Sequence, residues 1–287
     1  MNYRHVFHAG NFADVFKHVL LCGLVQALNR KDKPWCYVDT HAGAGFYDLS
    51  GEGATRTGEW EDGIGRLRDL QQAPEAMAAF LQQVRAANPE GKIRHYPGSP
   101  QFVQGLARAD DRLLLCEKVP AVAEELKIVM GRDDRVAIHQ RDGYEAQSLL
   151  PPKEKRGLIL VDPPFERVDE FDAMADFAQK ASARFSSGVY ALWYPIKQRR
   201  EVEVFLRRLG RELTRPVLNL EFDHGGPNTA QTSASGVTKM PMAACGLVVI
   251  NPPFQFENTA RDALAVLVKR LARGPRAGYR AEWIRAE

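Results

Sequence analysis

The sequence predicts a doubly wound α/β fold, a mostly parallel sheet with helices on both faces, and three observations lead there. Seven apolar runs recur along the 287 residues, most of them continuous rather than alternating, the pattern of strands covered on both sides. Helical periodicities fall between them. The first run leads straight into a loop of small residues, and the C-terminal end of a strand is where open α/β sheets bind nucleotides.

Taken in order, residues 14–28 carry a helical pattern and 35–38 form the first strand. Residues 50–96 then break the rhythm. They hold helical patterns over 60–70 and 74–86, the second with apolar Met77, Phe80, Leu81 and Val84, and no convincing strand, so they read as a helical insertion within one domain spanning 1–287. The alternation resumes with a helix at 101–106, a strand at 112–116, a helix at 119–129 and a strand at 136–139. A strand at 157–161, a helix at 169–184, a strand at 189–193 and a helix at 199–209 follow. The last two strands, 217–222 and 246–250, have only a Gly-, Asn-, Ser- and Thr-rich loop between them, which predicts an antiparallel hairpin at one sheet edge. A final helix occupies 259–271.

Composition narrows the classes. At 45% hydrophobic and 26% charged, the chain is globular rather than disordered, and no apolar run approaches the ~20 residues that cross a bilayer. No secretory leader is visible, which places the protein in the cytoplasm with no membrane partner. Cys22, Cys36, Cys116 and Cys245 lie far apart without a CxxC pair and read as reduced packing residues. The net charge of +3 hides a segregation. Residues 196–215 carry seven basic against three acidic side chains, as do residues 261–287, leaving −5 for the other 240. Charge sorted in this way fits a nucleic-acid-binding face, although Arg-rich helices also solvate themselves.

The chemistry concentrates where strands end. Asp39-Thr-His-Ala-Gly-Ala-Gly45 follows the first strand; its small residues, Gly43 among them, let the backbone turn tightly and approach a ligand. It is neither a phosphate loop nor a dinucleotide fingerprint, because Gly45 is followed by Phe46. Glu117 comes immediately after the strand at 112–116, where an acid accepts hydrogen bonds from ribose hydroxyls, typically ~20 residues after the glycine loop. The gap here is 72 residues, and 25 once the 47-residue insertion is removed. Asp142-Gly143 follows the third strand, where a carboxylate meets an adenine amino group.

Asp162-Pro163-Pro164-Phe165 closes the strand at 157–161. An adenine amine is a weak nucleophile because its lone pair is delocalised into the ring. A carboxylate and a proline-stiffened carbonyl can accept its two hydrogens while an aromatic ring stacks on the extruded base, so Asp162, Pro163 and Phe165 point to amino methylation. Asn251-Pro252-Pro253-Phe254 repeats the pattern, but it comes after the last strand instead of in sequence around one cofactor, and it is assigned a structural role.

The N-terminus, from Tyr3 to His18, is dense in histidine, cations and aromatics. His5, His8 and His18 match no common zinc spacing, so no metal is expected. The composition suits a segment closing over cofactor and base, with Tyr3 and His5 toward RNA and Lys17 and His18 toward the cofactor, Lys17 being a candidate RNA contact as well.

Together these residues resemble the bacterial ribosomal RNA large subunit methyltransferase J family. The likeness runs nearly end to end, through Tyr3-Arg4-His5, His8-Ala9-Gly10-Asn11, the Asp39–Gly45 loop, Arg56-Thr-Gly-Glu59, Tyr96-Pro-Gly-Ser-Pro100, Asp162-Pro-Pro, Tyr190-Ala-Leu-Trp-Tyr-Pro195 and Val249-Ile-Asn-Pro-Pro253. The resemblance implies a class I S-adenosylmethionine-dependent methyltransferase sheet with a helical insertion. It implies a 23S ribosomal RNA (adenine-2030-N6) methyltransferase activity, and the chain is expected to be a monomer. It also implies that His18, His41, Ser99, Glu117, Asp142, Gly143 and Asp162 contact the cofactor, that Asp162 is the catalytic acceptor, and that Tyr3 faces the RNA. Phe165 stands where the motif commonly has Tyr, which keeps stacking and loses a hydroxyl. Two rival activities share parts of this pattern, an adenine methyltransferase acting on DNA and a nicotinamide-dependent oxidoreductase; a third rival is a non-catalytic RNA-binding protein on the same scaffold.

Overall fold

In the computed structural model, residues 7–226, 231–232, 238–239 and 242–286 are described. Helix α1 (Phe12–Asn29) is capped by Asn11, whose side chain accepts from the amides of Ala13 and Asp14. Strand β1 (Cys36–Asp39) follows. Two three-residue strands, β2 (Phe46–Asp48) and β3 (His95–Pro97), then pair antiparallel and bracket α2 (Glu52–Thr57), a short 3-10 turn (Ile64–Leu67) and α3 (Glu75–Ala86). Beyond them come α4 (Ser99–Leu106), β4 (Arg112–Glu117), α5 (Pro120–Met130), β5 (Val136–Gln140), β6 (Gly157–Val161), α6 (Glu170–Arg184), β7 (Val189–Pro195) and α7 (Arg199–Glu212). The chain closes with β8 (Val217–Asp223), the small pair β9 (Gln231–Thr232) and β10 (Thr238–Lys239), β11 (Ala244–Ile250), α8 (Phe256–Leu271) and β12 (Gly278–Arg285).

The main sheet runs β12-β8-β11-β7-β6-β1-β4-β5. The five strands from β7 to β5 are parallel, whereas β11 is antiparallel to β7, β8 to β11 and β12 to β8. Alternation along each strand feeds two cores. Tyr37, Leu158 and Leu160 face a layer of α1, α3, α4 and α8, while Val38, Ile159 and Val161 face α6 and α7. The four cysteines are buried and free, and burial pushes the Cys36 and Cys116 thiols up to about 12, which keeps them protonated packing groups. Among the described residues no helix is long and apolar enough to cross a membrane.

Four expectations change. The strands at 217–222 and 246–250 do pair antiparallel, but β11 lies inside the sheet and the edge belongs to β12, which sequence reading left as a charged tail. Arg280, Glu282 and Arg285 obscure it, since an edge strand buries little, here Ala281 alone. The helical pattern at 60–70 collapses to a 3-10 turn: a Cβ on Gly63 would lie 2.1 Å from the Gly10 carbonyl oxygen, so this segment follows the shape of the N-terminus it packs on. The two flanking strands β2 and β3 escape notice because three residues carry no periodicity.

The fourth change concerns charge. Helices α7 and α8 lie on opposite faces of the sheet, so the basic residues of these two helices do not form one surface. On α7, Arg208 pairs with Asp172, Asp176 and Glu212, and Arg199 reaches Glu221 at 2.7 Å, so these cations tie α7 to α6 and β8.

The burial pattern makes a simple prediction. Leu264→Ala, in the fully buried face of α8, is expected to cost about 2–5 kcal/mol in urea unfolding. Arg207→Ala, on the exposed face of α7, should stay within about 0.5 kcal/mol.

Candidate active site

The C-terminal ends of β6, β1 and β4 meet where chain order reverses across the sheet, the crevice in which open α/β sheets take ligands. The loop after β1 is tied down on both sides: Thr40 donates its amide to the Leu160 carbonyl at 3.0 Å and Ala42 to the Cys116 carbonyl at 2.9 Å. Gly43 and Gly45 have positive φ. A Cβ on Gly43 would come within 2.5 Å of the Tyr47 hydroxyl, so side chains are excluded from the turn by conformation and by space.

Around this loop the acids take up distinct positions. Glu117, at the end of β4, accepts from the Gly43 amide at 3.0 Å and from the Val119 amide at 2.8 Å. Asp142, beyond β5, caps the next turn through the Tyr144 amide and accepts from Lys118 at 2.8 Å. Burial works against its charge, but these donors prevail and hold its carboxyl below the ordinary range. Gly143 is pressed onto the β1 loop, since a Cβ there would lie 2.2 Å from the Thr40 carbonyl oxygen and within 3 Å of the His41 ring.

His41 shares a 2.7 Å hydrogen bond with the Thr40 hydroxyl, and burial pulls its pKa down to about 4 against the attraction of Asp162 and Asp142, so the imidazole is neutral at pH 7. Ser99, at the start of α4, donates to Asp39 at 2.7 Å. His18 sits in the core layer of α1, hydrogen-bonded to the Tyr96 hydroxyl at 2.8 Å and packed on Phe102.

Asp162 follows β6, with Pro163 buried and Phe165 half-buried. Phe165 has φ +50°, a left-handed conformation unusual for an aromatic residue and of the kind found at ligand clamps, and its ring meets Phe171 and Trp193 edge-on. Asp162 forms an ion pair with Lys17, which also binds Asp14 at 2.9 Å. Lys17 is 4% exposed. Burial alone would strip its proton, but the two carboxylates outweigh that and hold it charged. The expectation that Lys17 reaches toward RNA is therefore corrected: its ammonium is committed inside, under Asp162. Tyr3 and His5 lie outside the described residues. His8 and Asn11 both bond Glu59, at 2.9 and 3.0 Å, and the Ile64 amide donates to the Gly10 carbonyl, so the insertion holds the segment that leads into α1.

Asn251 is remote from these groups. Because β11 is antiparallel to β7, Ile250 pairs with Tyr190 near the start of β7, at the end of the sheet opposite Asp162. Its side chain donates to the Gly188 carbonyl, a packing role.

Sequence reading missed Asp14, Asp39 and Trp193. Asp39 is fully buried and accepts from Tyr37 and Ser99, both at 2.7 Å, and from the His41 amide. Burial raises its pKa to about 6, with the Asp162 charge adding to the rise and the hydrogen bonds opposing it. An acid as the last strand residue before a glycine turn was the available signal. For Asp14 it was the i, i+3 spacing to Lys17.

Comparison with known proteins follows the same lines. A family model described as "Ribosomal RNA large subunit methyltransferase D, RlmJ" matches residues 32–285. The chain is 36% identical over 289 residues to a Haemophilus influenzae protein named "Ribosomal RNA large subunit methyltransferase J", covering all of both. It is 35% identical over 285 residues to an Escherichia coli protein of the same name, covering 99% of each. A crystal structure of a Legionella pneumophila protein superposes with a TM-score of 0.86 at 33% identity, covering 96% of this chain and 98% of that one.

The two shifted groups at the β1 loop titrate in opposite senses. Asp39 holds its proton more tightly folded than unfolded, so its contribution to stability is full below its ordinary 3.8 and is lost as pH rises through about 6. The contribution of His41 is full above 6.5 and is lost as pH falls through about 4. Asp39→Asn removes only the first. Relative to the native protein, this variant is expected to gain about 2 kcal/mol between pH 4 and pH 7 in urea unfolding, and a difference independent of pH would contradict the shifted carboxyl.

Proposed function

The chain belongs to the RlmJ family of ribosomal RNA large subunit methyltransferases, and from that premise we propose that it methylates the exocyclic N6 of an adenine in 23S ribosomal RNA, of the adenine-2030 type. Its methyl donor is S-adenosylmethionine, and its chemistry is that of ribosomal RNA methylation. The observation that carries the N6 assignment is the end of β6: a carboxylate, a buried proline and a half-buried aromatic ring with a strained backbone, all beside the glycine loop.

The residues present fit that donor. Glu117, already oriented by two amides, would accept from ribose hydroxyls, and Asp142, oriented by the Tyr144 amide, from an adenine amine. Gly43 and Gly143 let the β1 loop close against Tyr47 and against the turn after β5, which packs on the His41 ring. S-adenosylmethionine supplies an electrophilic methyl group on a sulfonium. A neutral His41 adds no repulsion toward that cation, and Asp39 and Asp162 make the surroundings acidic.

At the acceptor, Asp162 and the Pro163 carbonyl would each take one hydrogen of the adenine N6, drawing its lone pair toward the methyl group while Phe165 stacks on the ring. As the N–C bond formed at the expense of the sulfonium–methyl bond, the proton lost from N6 would pass to Asp162. Lys17 is a positioning residue, holding Asp162 in place by a charge that α1 carries into the core. Tyr3 and His5 are the proposed RNA contacts, and His18 would support the cofactor wall from α1.

Asp162→Asn is expected to lower tritium transfer from S-adenosylmethionine to 23S ribosomal RNA by about 100-fold or more with the circular dichroism unchanged. Turnover near that of the native protein would remove Asp162 from the reaction. Mass spectrometry of the product should show N6-methyladenine, and preferential transfer to duplex DNA would redirect the substrate. By calorimetry, Glu117→Ala should weaken S-adenosylmethionine binding about ten-fold, as loss of a charged hydrogen-bond acceptor does, and an unchanged Kd would end the ribose role.

A further inference from the structure

Beside the active site, the 3-10 turn of the insertion and the last turn of α8 enclose an open cleft of about 580 Å³ lined by Trp60, Glu61, Arg66, Arg68, Asp69, Lys269 and Arg270, four basic side chains against two acidic ones. Its walls are joined where Arg66 donates to the Ala272 carbonyl at 3.2 Å and Arg273 pairs with Asp62 at 3.2 Å. Within it, Arg66 and Arg68 are matched by Asp62 and Asp69. Among the described residues neither Lys269 nor Arg270 has an acidic partner, and both are exposed.

The topology puts this cleft on the catalytic side. Because β11 runs against β7, the helix that follows it returns toward the edge where β6 and β7 end. There the Arg273 amide donates to the carbonyl of His224, just past β8. The opposite wall rests on Gly10 and Asn11, at the start of α1, and Lys17 is five residues into that helix, a rise of about 7.5 Å.

Resting on the methyltransferase reading above, we propose that this cleft holds the phosphodiester backbone of the RNA strand flanking the target adenine, with Lys269 and Arg270 as its phosphate contacts. Two cations without acidic partners, on a rigid helix end and beside the pocket, supply sequence-independent affinity while the base pocket supplies selection. A cation in the last turn of a helix also favours the macrodipole, and that role alone would leave RNA affinity untouched.

The test compares K269Q/R270Q with R207Q/R215Q, an equal loss of charge from exposed residues on and after α7. Binding of transcribed 23S ribosomal RNA is titrated across a salt series. K269Q/R270Q is expected to bind about ten-fold more weakly at 0.15 M salt, with the slope of log Kd against log salt reduced by about 1.5, at unchanged S-adenosylmethionine affinity. R207Q/R215Q should bind within two-fold of the native protein. Native-like RNA affinity and slope in K269Q/R270Q overturns the cleft, as does an equal loss in R207Q/R215Q or a parallel loss of S-adenosylmethionine affinity. The native protein is assayed alongside: if it transfers no methyl group to 23S ribosomal RNA the functional reading itself falls, whereas an active native protein with an indifferent K269Q/R270Q removes the cleft alone.

Discussion

One ammonium group organises the site. Taking Lys17 out of water is expensive, and only two carboxylates in contact with it, Asp14 one helical turn back and Asp162 at the end of β6, make its burial tolerable. That constraint sets the register of α1 against the sheet, because the charge must arrive where β6 stops. It also explains why so much of the chain secures the first turn of α1: the Asn11 cap, the Gly10 amide on Asp14, Glu59 gripping His8 and Asn11, and Gly63 closing against Gly10. Removing either carboxylate would leave a buried charge partly unpaired, a fault that typically costs 3–5 kcal/mol.

The same edge of the sheet manages two further ionisable groups by burial. Asp39 and His41 sit on the β1 loop, one with its pKa raised and the other with its pKa lowered, so at neutral pH the loop presents a carboxylate and an uncharged ring. A cationic methyl donor favours that arrangement. The glycines matter for a different reason, since each marks a point where a backbone approaches another group closer than any side chain allows.

Charge elsewhere is divided by the sheet. Arg199 and Arg208 of α7 are consumed in tying that helix to β8 and α6, while Lys269 and Arg270 at the end of α8 remain beside the catalytic edge. A chain with a net charge of only +3 can therefore offer local attraction to a polyanion without binding polyanions indiscriminately.

By itself the sequence determined what local pattern can carry: the α/β class, the boundaries of β6 to the residue, the glycine turn after β1, and the placement of Glu117, Asp142 and Asp162 at strand ends. Each rests on an apolar run followed by a breaker, which a chain displays without reference to its partners. Tertiary structure alone decided what Lys17 faces, why Asp39 is protonation-sensitive, which basic segment stands beside the site, and that Asn251-Pro252-Pro253-Phe254 lies at the wrong end. Those outcomes turn on the direction in which β11 enters the sheet and on the charges burial brings together. Strand polarity and desolvation are properties of the assembled sheet, and no window of sequence contains them.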